Sequence, residues 1–276
     1  CWEGWRATRV VRLMGVESRT VAPETLHKAE QRIGSGSFMA LEQLRRRWEA
    51  ILQPVLRTFS SFSPITITWL ALPFGIAGGL LAMYAPEEAA GGWWMLGGAA
   101  MIGLAMLFDG LDGSLARAKG EVTRWGDYLD HTIDRILDAV WVVCISASVF
   151  VNDLVLGFAA AFLTLLGSYM GTQAQAVAGS RNYRGFSRAD RTVLTLLALV
   201  SMGVMLLAGW SIDASYGGWY DHINVNPLSL IVFISALGGL WTFFVRFLQA
   251  QREIRAIDAA DPLPQPNAVG TDEPSD

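Results

Sequence analysis

Charged residues and cysteines are both scarce in this chain. Charged side chains make up 17% of its 276 residues, hydrophobic side chains make up 52%, and the mean hydropathy is +0.35. The two cysteines, Cys1 and Cys144, fit neither a disulfide framework nor a zinc site. A net charge of −4 gives no electrostatic support for a nucleic-acid partner, so none is expected. The composition favours a membrane protein.

Apolar runs of spanning length follow one another through the middle of the chain. A helix needs about 20 residues to cross the hydrocarbon layer. Six runs reach that length, and they cover residues 65–84, 92–116, 127–151, 153–178, 190–210 and 227–248. Six such runs leave too little polar surface to cover a soluble protein. We therefore expect an all-α integral membrane protein with six transmembrane helices.

The segments on either side of these runs have a different character. Residues 1–38 are polar and mixed in charge, and we expect a poorly ordered extension without an assigned function. In residues 39–60 apolar side chains recur at three- and four-residue steps, which predicts an interfacial amphipathic helix. Residues 61–255 would form the six-helix domain. Residues 256–276 are rich in Asp, Pro, Ala and Gly, which predicts an acidic disordered tail.

Basic residues predict the orientation in the membrane. Loops 85–91 and 211–226 contain no Lys or Arg. The alternate segments are basic, and because cytoplasmic loops hold an excess of Lys and Arg, both termini are expected in the cytoplasm of a multi-pass cell-membrane protein. The basic residues include Arg45, Arg46, Arg47, Arg57, Arg117, Lys119, Arg124, Arg181, Arg184, Arg188, Arg191, Arg246, Arg252 and Arg255.

Aspartates occur where the second predicted helix ends and the third begins. Asp109 and Asp112 are three residues apart, and Asp130 and Asp134 are four apart, so each pair projects from one face of a helix. Carboxylates at membrane depth cost about 2.5–3.5 kcal/mol each on insertion scales and need a partner. Two facing pairs could hold Mg²⁺ or Mn²⁺, with two ions clamping a diphosphate. The alternative is that the four aspartates only cap helix ends and pair with nearby arginines.

The pattern Asp109-x2-Asp112-Gly113-x2-Ala116-Arg117-x8-Gly126-x3-Asp130-x3-Asp134 resembles, at every position, the signature of the CDP-alcohol phosphatidyltransferase family. The resemblance covers about residues 39–255. It implies a metal-dependent enzyme that transfers the phosphoryl group of a CDP-linked membrane lipid to a small polar alcohol and releases CMP. Six transmembrane helices and a cytoplasmic site are consistent with the fold that the family uses, with a homodimer among the possible assemblies.

The resemblance also implies roles for individual residues. The metal ligands would be Asp109, Asp112 and Asp130, with Asp134 completing the metal-binding region and matching the proposed general base. The CDP moiety would be bound by residues of the same pattern and by a Pro-x-x-x-Thr-type segment at residues 63–68. These CDP-binding residues are Gly113, Ala116, Arg117, Gly126 and Thr66.

Four arginines between the fourth and fifth predicted helices lie on the same side as the aspartates, and they suggest an anionic acceptor. They are Arg181, Arg184, Arg188 and Arg191. The run GDYLDHTIDR together with SRADR resembles most the archaeal and actinobacterial family members that use inositol phosphate, where basic residues here hold the acceptor phosphate. Glycerol 3-phosphate is the alternative acceptor. The arginines could instead only set the topology or touch lipid headgroups.

A membrane transporter with intramembrane carboxylates is the alternative from a different class. It would predict inverted repeats and charges near the middle of a span. The sequence shows neither feature.

Overall fold

The computed structural model describes residues 58–59, 61–179, 184–212 and 214–262. Within these residues the protein is helical, with one short 3₁₀ helix, Gly218–Tyr220, and an isolated bridge between Ser215 and Asn224. The described residues between 58 and 255 form a single compact unit. The α-helices are α1 (Pro64–Met83), α2 (Ala89–Lys119), α3 (Arg124–Ala147), α4 (Leu154–Ala178), α5 (Arg188–Ala208) and α6 (Pro227–Ala260).

Side-chain caps fix where several of these helices begin. The hydroxyl of Thr123 accepts a hydrogen bond from Gly126 N at the start of α3, and the carboxylate of Asp153 accepts one from Leu156 N at the start of α4. At α5, Ser187 and Asp190 form a reciprocal capping box. Each cap satisfies backbone N–H groups that the first helical turn leaves without partners. Helices α3, α4 and α5 therefore begin at defined residues.

Five of the helices are long and apolar enough to cross a membrane: α1, α2, α4, α5 and α6. Helix α3 does not meet the same criterion, because it carries five charged side chains from Asp127 to Asp138. The expectation of an all-helical protein with membrane-spanning helices is confirmed. A sixth spanning helix stays a prediction, and most of the predicted interfacial helix, residues 39–60, lies outside the described residues.

Small residues allow the helices to pack closely. A Cβ on Gly78 in α1 would lie 2.9 Å from the carbonyl oxygen of Gly98 in α2. A Cβ on Gly92 in α2 would lie 2.7 Å from the carbonyl oxygen of Gly203 in α5. Such approaches are typical of helix packing in membranes, where van der Waals contact and interhelical hydrogen bonds hold the bundle. One such bond joins α3 to α1, where Trp141 Nε1 donates to Gly75 O at 2.8 Å.

The helices differ from the predicted runs at two ends. Helix α3 ends at Ala147, before the predicted limit at residue 151, because Ser148 takes an extended conformation. Helix α6 continues to Ala260, so residues 256–260 are helical rather than part of a disordered tail. The prediction of disorder from composition was therefore wrong for those residues. Residues 1–38 and 263–276 lie outside the described part of the chain.

Candidate functional site

A tight turn brings the aspartates of α2 and α3 together. Helix α2 ends at Lys119 and is followed by the C-cap residue Gly120. Gly120 adopts φ = +68°, a left-handed conformation that glycine accepts without strain. The amides of Gly120 and Glu121 donate to the last carbonyls of α2. Only residues 120–123 separate the two helices, so the chain reverses direction at once. The two aspartate pairs are thereby placed on adjacent helices.

Three of the four predicted aspartates form a compact group. Asp109 from α2 and Asp130 and Asp134 from α3 each offer a carboxylate oxygen, and these atoms all lie within 4.8 Å of one another. Asp134 is buried, and the other two are partly exposed. Carboxylate oxygens at this separation are suitable ligands for a hard divalent cation. The donor set therefore fits Mg²⁺ or Mn²⁺ at this position.

The fourth aspartate, Asp112, is held by its neighbours. Its Oδ2 accepts a hydrogen bond from Thr68 Oγ1 at 2.5 Å, and its Oδ1 accepts one from the amide of Gly113. Thr68 is buried on α1, and its Oγ1 also lies 3.1 Å from Pro64 O. The hydroxyl of Thr68 therefore fixes the orientation of a buried carboxylate next to the aspartate cluster.

A cavity of about 260 Å³ lies on one side of the cluster, between α1, the end of α2 and the start of α3. Four of the five predicted CDP-binding residues line it, namely Gly113, Ala116, Arg117 and Gly126. The fifth, Thr66, is exposed and is not among the lining residues, whereas Thr68 is. Residues two apart on a helix point in nearly opposite directions. The structure therefore places Thr68, rather than Thr66, at this cavity.

A second and larger cavity of about 1010 Å³ lies on the other side of the cluster. Helices α3, α4, α5 and α6 form its walls, and the arginines in its lining are Arg135, Arg188, Arg191 and Arg246. Asp127 lines both cavities, Asp130 lines the first, and Asp134 lines the second. The carboxylate cluster therefore lies between the two cavities.

The four arginines predicted for acceptor binding have different environments. Arg188 lies at the cluster, where Nη1 contacts Asp109 Oδ2 at 3.0 Å and Nη2 contacts Asp134 Oδ1 at 2.6 Å. Arg191 is buried and paired with Asp138. Arg184 is exposed and is not among the residues that line the second cavity. Arg181 lies outside the described residues.

Sequence reasoning missed three charged residues of this region. Asp138, one helical turn after Asp134, has its carboxylate 2.6 Å from Arg191 Nη2 and 3.5 Å from Arg135 Nη1. Arg135 also donates to Ser168 Oγ on α4. Arg246 on α6 donates to Gly167 O and to Arg184 O, both at 2.9 Å. The four-residue interval from Asp134 could have revealed Asp138, whereas Arg246 is distant in sequence.

The chain matches the model of the CDP-alcohol phosphatidyltransferase family over residues 62–249. This range includes the two aspartate pairs, both cavities and all six helices in whole or in part. The chain belongs to the CDP-alcohol phosphatidyltransferase family.

The chain is similar to several proteins named as synthases of inositol phosphate lipids. The chain is 24% identical over 220 residues to the phosphatidylinositol phosphate synthase of Cutibacterium acnes, which covers 77% of this chain and 98% of that protein. It is 31% identical over 166 residues to the archaetidylinositol phosphate synthase of Methanothermobacter thermautotrophicus, and the match covers 59% of this chain and 82% of that protein. It is 30% identical to the phosphatidylinositol phosphate synthase of Streptomyces avermitilis, and the match covers 79% of this chain and 86% of that protein.

A solved structure shares the fold. The phosphatidylinositol phosphate synthase of Mycobacterium tuberculosis, crystallised with CDP-DAG bound, superposes with a TM-score of 0.56 at 25% sequence identity. The match covers 73% of this chain and 94% of that protein.

Proposed function

We propose that this protein transfers the phosphoryl group of a CDP-linked lipid to inositol phosphate, with release of CMP. The observation that carries the proposal is the position of the aspartate cluster between two cavities, one lined by the CDP-binding residues of the family pattern and one lined by arginines. Displacement at phosphorus needs the attacking hydroxyl of the acceptor and the leaving CMP on opposite sides of the reacting atom. The arrangement supports this requirement with residues from four different helices.

Divalent cations would be held by Asp109, Asp130 and Asp134, with Asp112 beside them on α2. The oxygens of the first three lie within 4.8 Å of one another, which fits Mg²⁺ or Mn²⁺. When bound, two such ions neutralise the charge of the diphosphate and stabilise the leaving CMP. The hydroxyl of Thr68 keeps Asp112 oriented towards this region.

The smaller cavity is assigned to the CDP moiety. Gly113 leaves room there, and the side chain of Arg117 covers the same turn, since a Cβ on Gly113 would lie 3.3 Å from Arg117 Nη1. The guanidinium of Arg117 can donate two parallel hydrogen bonds to a phosphate. Asp130 closes the cavity on the side of the cluster. This arrangement would present the β-phosphorus of the lipid to the second cavity.

The transfer step involves one proton and two bonds to phosphorus. The second cavity is assigned to the acceptor and is called the acceptor cavity below. Asp134 lines it and accepts the proton of the acceptor hydroxyl. The acceptor oxygen forms a bond to the β-phosphorus, the bond between this phosphorus and the oxygen of CMP breaks, and CMP leaves with the electron pair. Arg188 holds Asp134 at 2.6 Å and positions it for this role.

The arginines favour a phosphorylated acceptor, and inositol phosphate is the first candidate. Arg135, Arg188 and Arg246 line the second cavity, and guanidinium groups bind phosphate well. The relatives from Cutibacterium, Methanothermobacter and Streptomyces are synthases of inositol phosphate lipids, which supports the same acceptor. Glycerol 3-phosphate would use the same arginines and is the second candidate.

The same proposal includes a location. Basic residues lie at the ends of the helices that carry the aspartates and at the start of α5, whereas the described residues of loops 85–91 and 211–226 contain no Lys or Arg. We therefore expect the site and both termini on the cytoplasmic side of the cell membrane.

One assay tests the proposed reaction. Purified protein, CDP-linked lipid and Mg²⁺ are incubated with inositol phosphate, glycerol 3-phosphate, inositol or serine, and the release of CMP is measured. We expect release with inositol phosphate. Release with glycerol 3-phosphate alone would show that glycerol 3-phosphate is the acceptor and would leave the proposed transfer reaction unchanged. No release with any acceptor would reject the reaction.

A further inference from the structure

Helix α4 presents a polar stripe to the second cavity. Thr164, Ser168, Thr172 and Gln175 recur at intervals of four, four and three residues, which places them on one face of the helix. All four line the cavity. Gln175 and Thr172 are exposed, Ser168 is partly exposed and Thr164 is buried, so the stripe descends from the mouth of the cavity to its inner end.

The innermost residue of the stripe has free hydrogen-bonding capacity. Thr164 is 3% exposed, and its hydroxyl has no hydrogen-bond partner among the described residues. A buried hydroxyl without a partner is costly, so a group that enters the cavity and pairs with it is favoured. By contrast, the hydroxyl of Thr242 donates to Gly238 O at 2.7 Å and accepts from Phe186 N at 2.8 Å. The hydroxyl of Thr164 can therefore hydrogen-bond to a ligand, whereas the hydroxyl of Thr242 is already bonded to the protein.

We propose that this stripe is a subsite for the neutral hydroxyl groups of a polyol acceptor, with Thr164 at its inner end. The inference rests on the proposed function and deepens it, because it assigns a different task to each wall of the cavity. The arginines on α3, α5 and α6 bind the phosphate of the acceptor. The hydroxyl and amide side chains of α4 bind the rest of the molecule without adding charge.

The size of the cavity agrees with this division. Its volume of about 1010 Å³ leaves room for a phosphate group and a polyol ring against different walls. Ser168 marks the border between the two walls, since its hydroxyl accepts a hydrogen bond from Arg135. A site built to pair with substrate hydroxyls discriminates against analogues that lack them. The stripe therefore favours a ring polyol phosphate over glycerol 3-phosphate, which is shorter and has fewer hydroxyl groups.

The test replaces the hydroxyl of Thr164 at nearly constant volume. In Thr164→Val, we expect the KM for inositol phosphate to rise about tenfold, as for the loss of one hydrogen bond in a buried site. The KM for the CDP-linked lipid should change by less than about twofold, because the lipid is assigned to the other cavity. Thr164→Ser keeps the hydroxyl and should retain the wild-type KM within about threefold.

Ser146 on α3 offers a matched control. Its hydroxyl is also buried and has no partner within the described part of the chain, but it does not line the second cavity. Ser146→Ala should leave the KM for inositol phosphate unchanged. An equal rise for both substrates in Thr164→Val, or no rise for inositol phosphate, would overturn the subsite, and so would activity with glycerol 3-phosphate alone.

Calorimetric titration of inositol phosphate into the purified protein gives a readout that does not depend on turnover. Weaker binding to Thr164→Val than to wild type supports the subsite even if no CMP is released, in which case only the proposed reaction fails. Wild-type protein that binds no inositol phosphate overturns the subsite. Thermal unfolding of each variant shows whether it is folded, and Thr164→Ala, which also removes the hydroxyl, replaces Thr164→Val in the comparison with wild type if the valine variant is not.

Discussion

Asp138 accepts a hydrogen bond from Nη2 of Arg191 at 2.6 Å, and the exposed fractions of the two side chains are 1% and 9%. The pair joins the middle of α3 to the first turn of α5. Arg191 also donates through Nη1 to Phe186 O at 3.3 Å, in the loop that precedes α5. Its guanidinium is therefore committed to protein groups. The pair positions the loop and helix that carry Arg188.

The first prediction concerns the stability that depends on this pair. Asp138→Asn leaves the charge of Arg191 buried without a counter-ion, and breaking such a pair costs about 3–5 kcal/mol. We expect a clear fall in the unfolding temperature in detergent. The combined change of Asp138→Leu and Arg191→Met should recover part of the loss, because it removes the unpaired charge of Arg191 while Arg135 keeps the carboxylate of Asp134 at 3.7 Å. An unfolding temperature equal to wild type for Asp138→Asn would contradict the assignment.

The second prediction is metal dependence. Asp109, Asp130 and Asp134 offer carboxylate oxygens within 4.8 Å of one another, and the single guanidinium of Arg188 cannot balance all three charges, so a divalent cation is expected to be needed for activity. EDTA should abolish CMP release, and added Mg²⁺ or Mn²⁺ should restore it. Ca²⁺ serves as a control for general charge screening. Full turnover in the presence of excess chelator would reject the metal site.

A third prediction separates the aspartates by role. Asp134→Asn keeps the shape of the side chain but cannot accept the acceptor proton, so turnover should be lost while CDP-lipid binding stays largely intact. Asp109→Asn and Asp112→Asn should weaken CDP-lipid binding itself. Binding is measured by equilibrium titration and turnover by CMP release. A wild-type rate for Asp134→Asn would remove it as the general base.

The fourth prediction compares two threonines on α1. Thr68 donates a hydrogen bond to the carboxylate of Asp112, and such a charge-assisted bond is worth about 1.5–3 kcal/mol. Thr68→Val should therefore lower kcat/KM for the CDP-linked lipid about 10- to 150-fold. Thr66→Val changes an exposed side chain two residues away and should lower it by less than about threefold. The reverse order of the two effects would restore Thr66 as the CDP-binding residue.

The fifth prediction addresses the arginines. Arg188 lines the acceptor cavity next to Asp134, whereas Arg184 is exposed and is not among the lining residues. Arg188→Ala should lower kcat/KM for the phosphorylated acceptor about 10- to 150-fold. Arg184→Ala should change it by less than about threefold, because exposed charges contribute little. If both substitutions change kcat/KM by less than about threefold, the arginines act only in setting the membrane topology.

The sequence by itself determined the features that depend on neighbouring residues. The spacing of Asp109, Asp112, Asp130 and Asp134 placed each pair on a helix face, because helical periodicity is local. The apolar runs located the helices to within a few residues, except where α6 continues to Ala260. Charge along the chain predicted which loops lie on the same side. Each of these inferences needs only the order of residues and the geometry of one helix.

The tertiary structure decided which side chains from different helices meet. Thr68 rather than Thr66 reaches Asp112 because the rotation of α1 against α2 selects one face. Arg246 and Thr164 line the second cavity because α4 and α6 form two of its walls, although the two residues lie far apart in sequence. Arg191 pairs with Asp138 for the same reason. Contacts between helices depend on packing and rotation, and no local pattern along the chain encodes them.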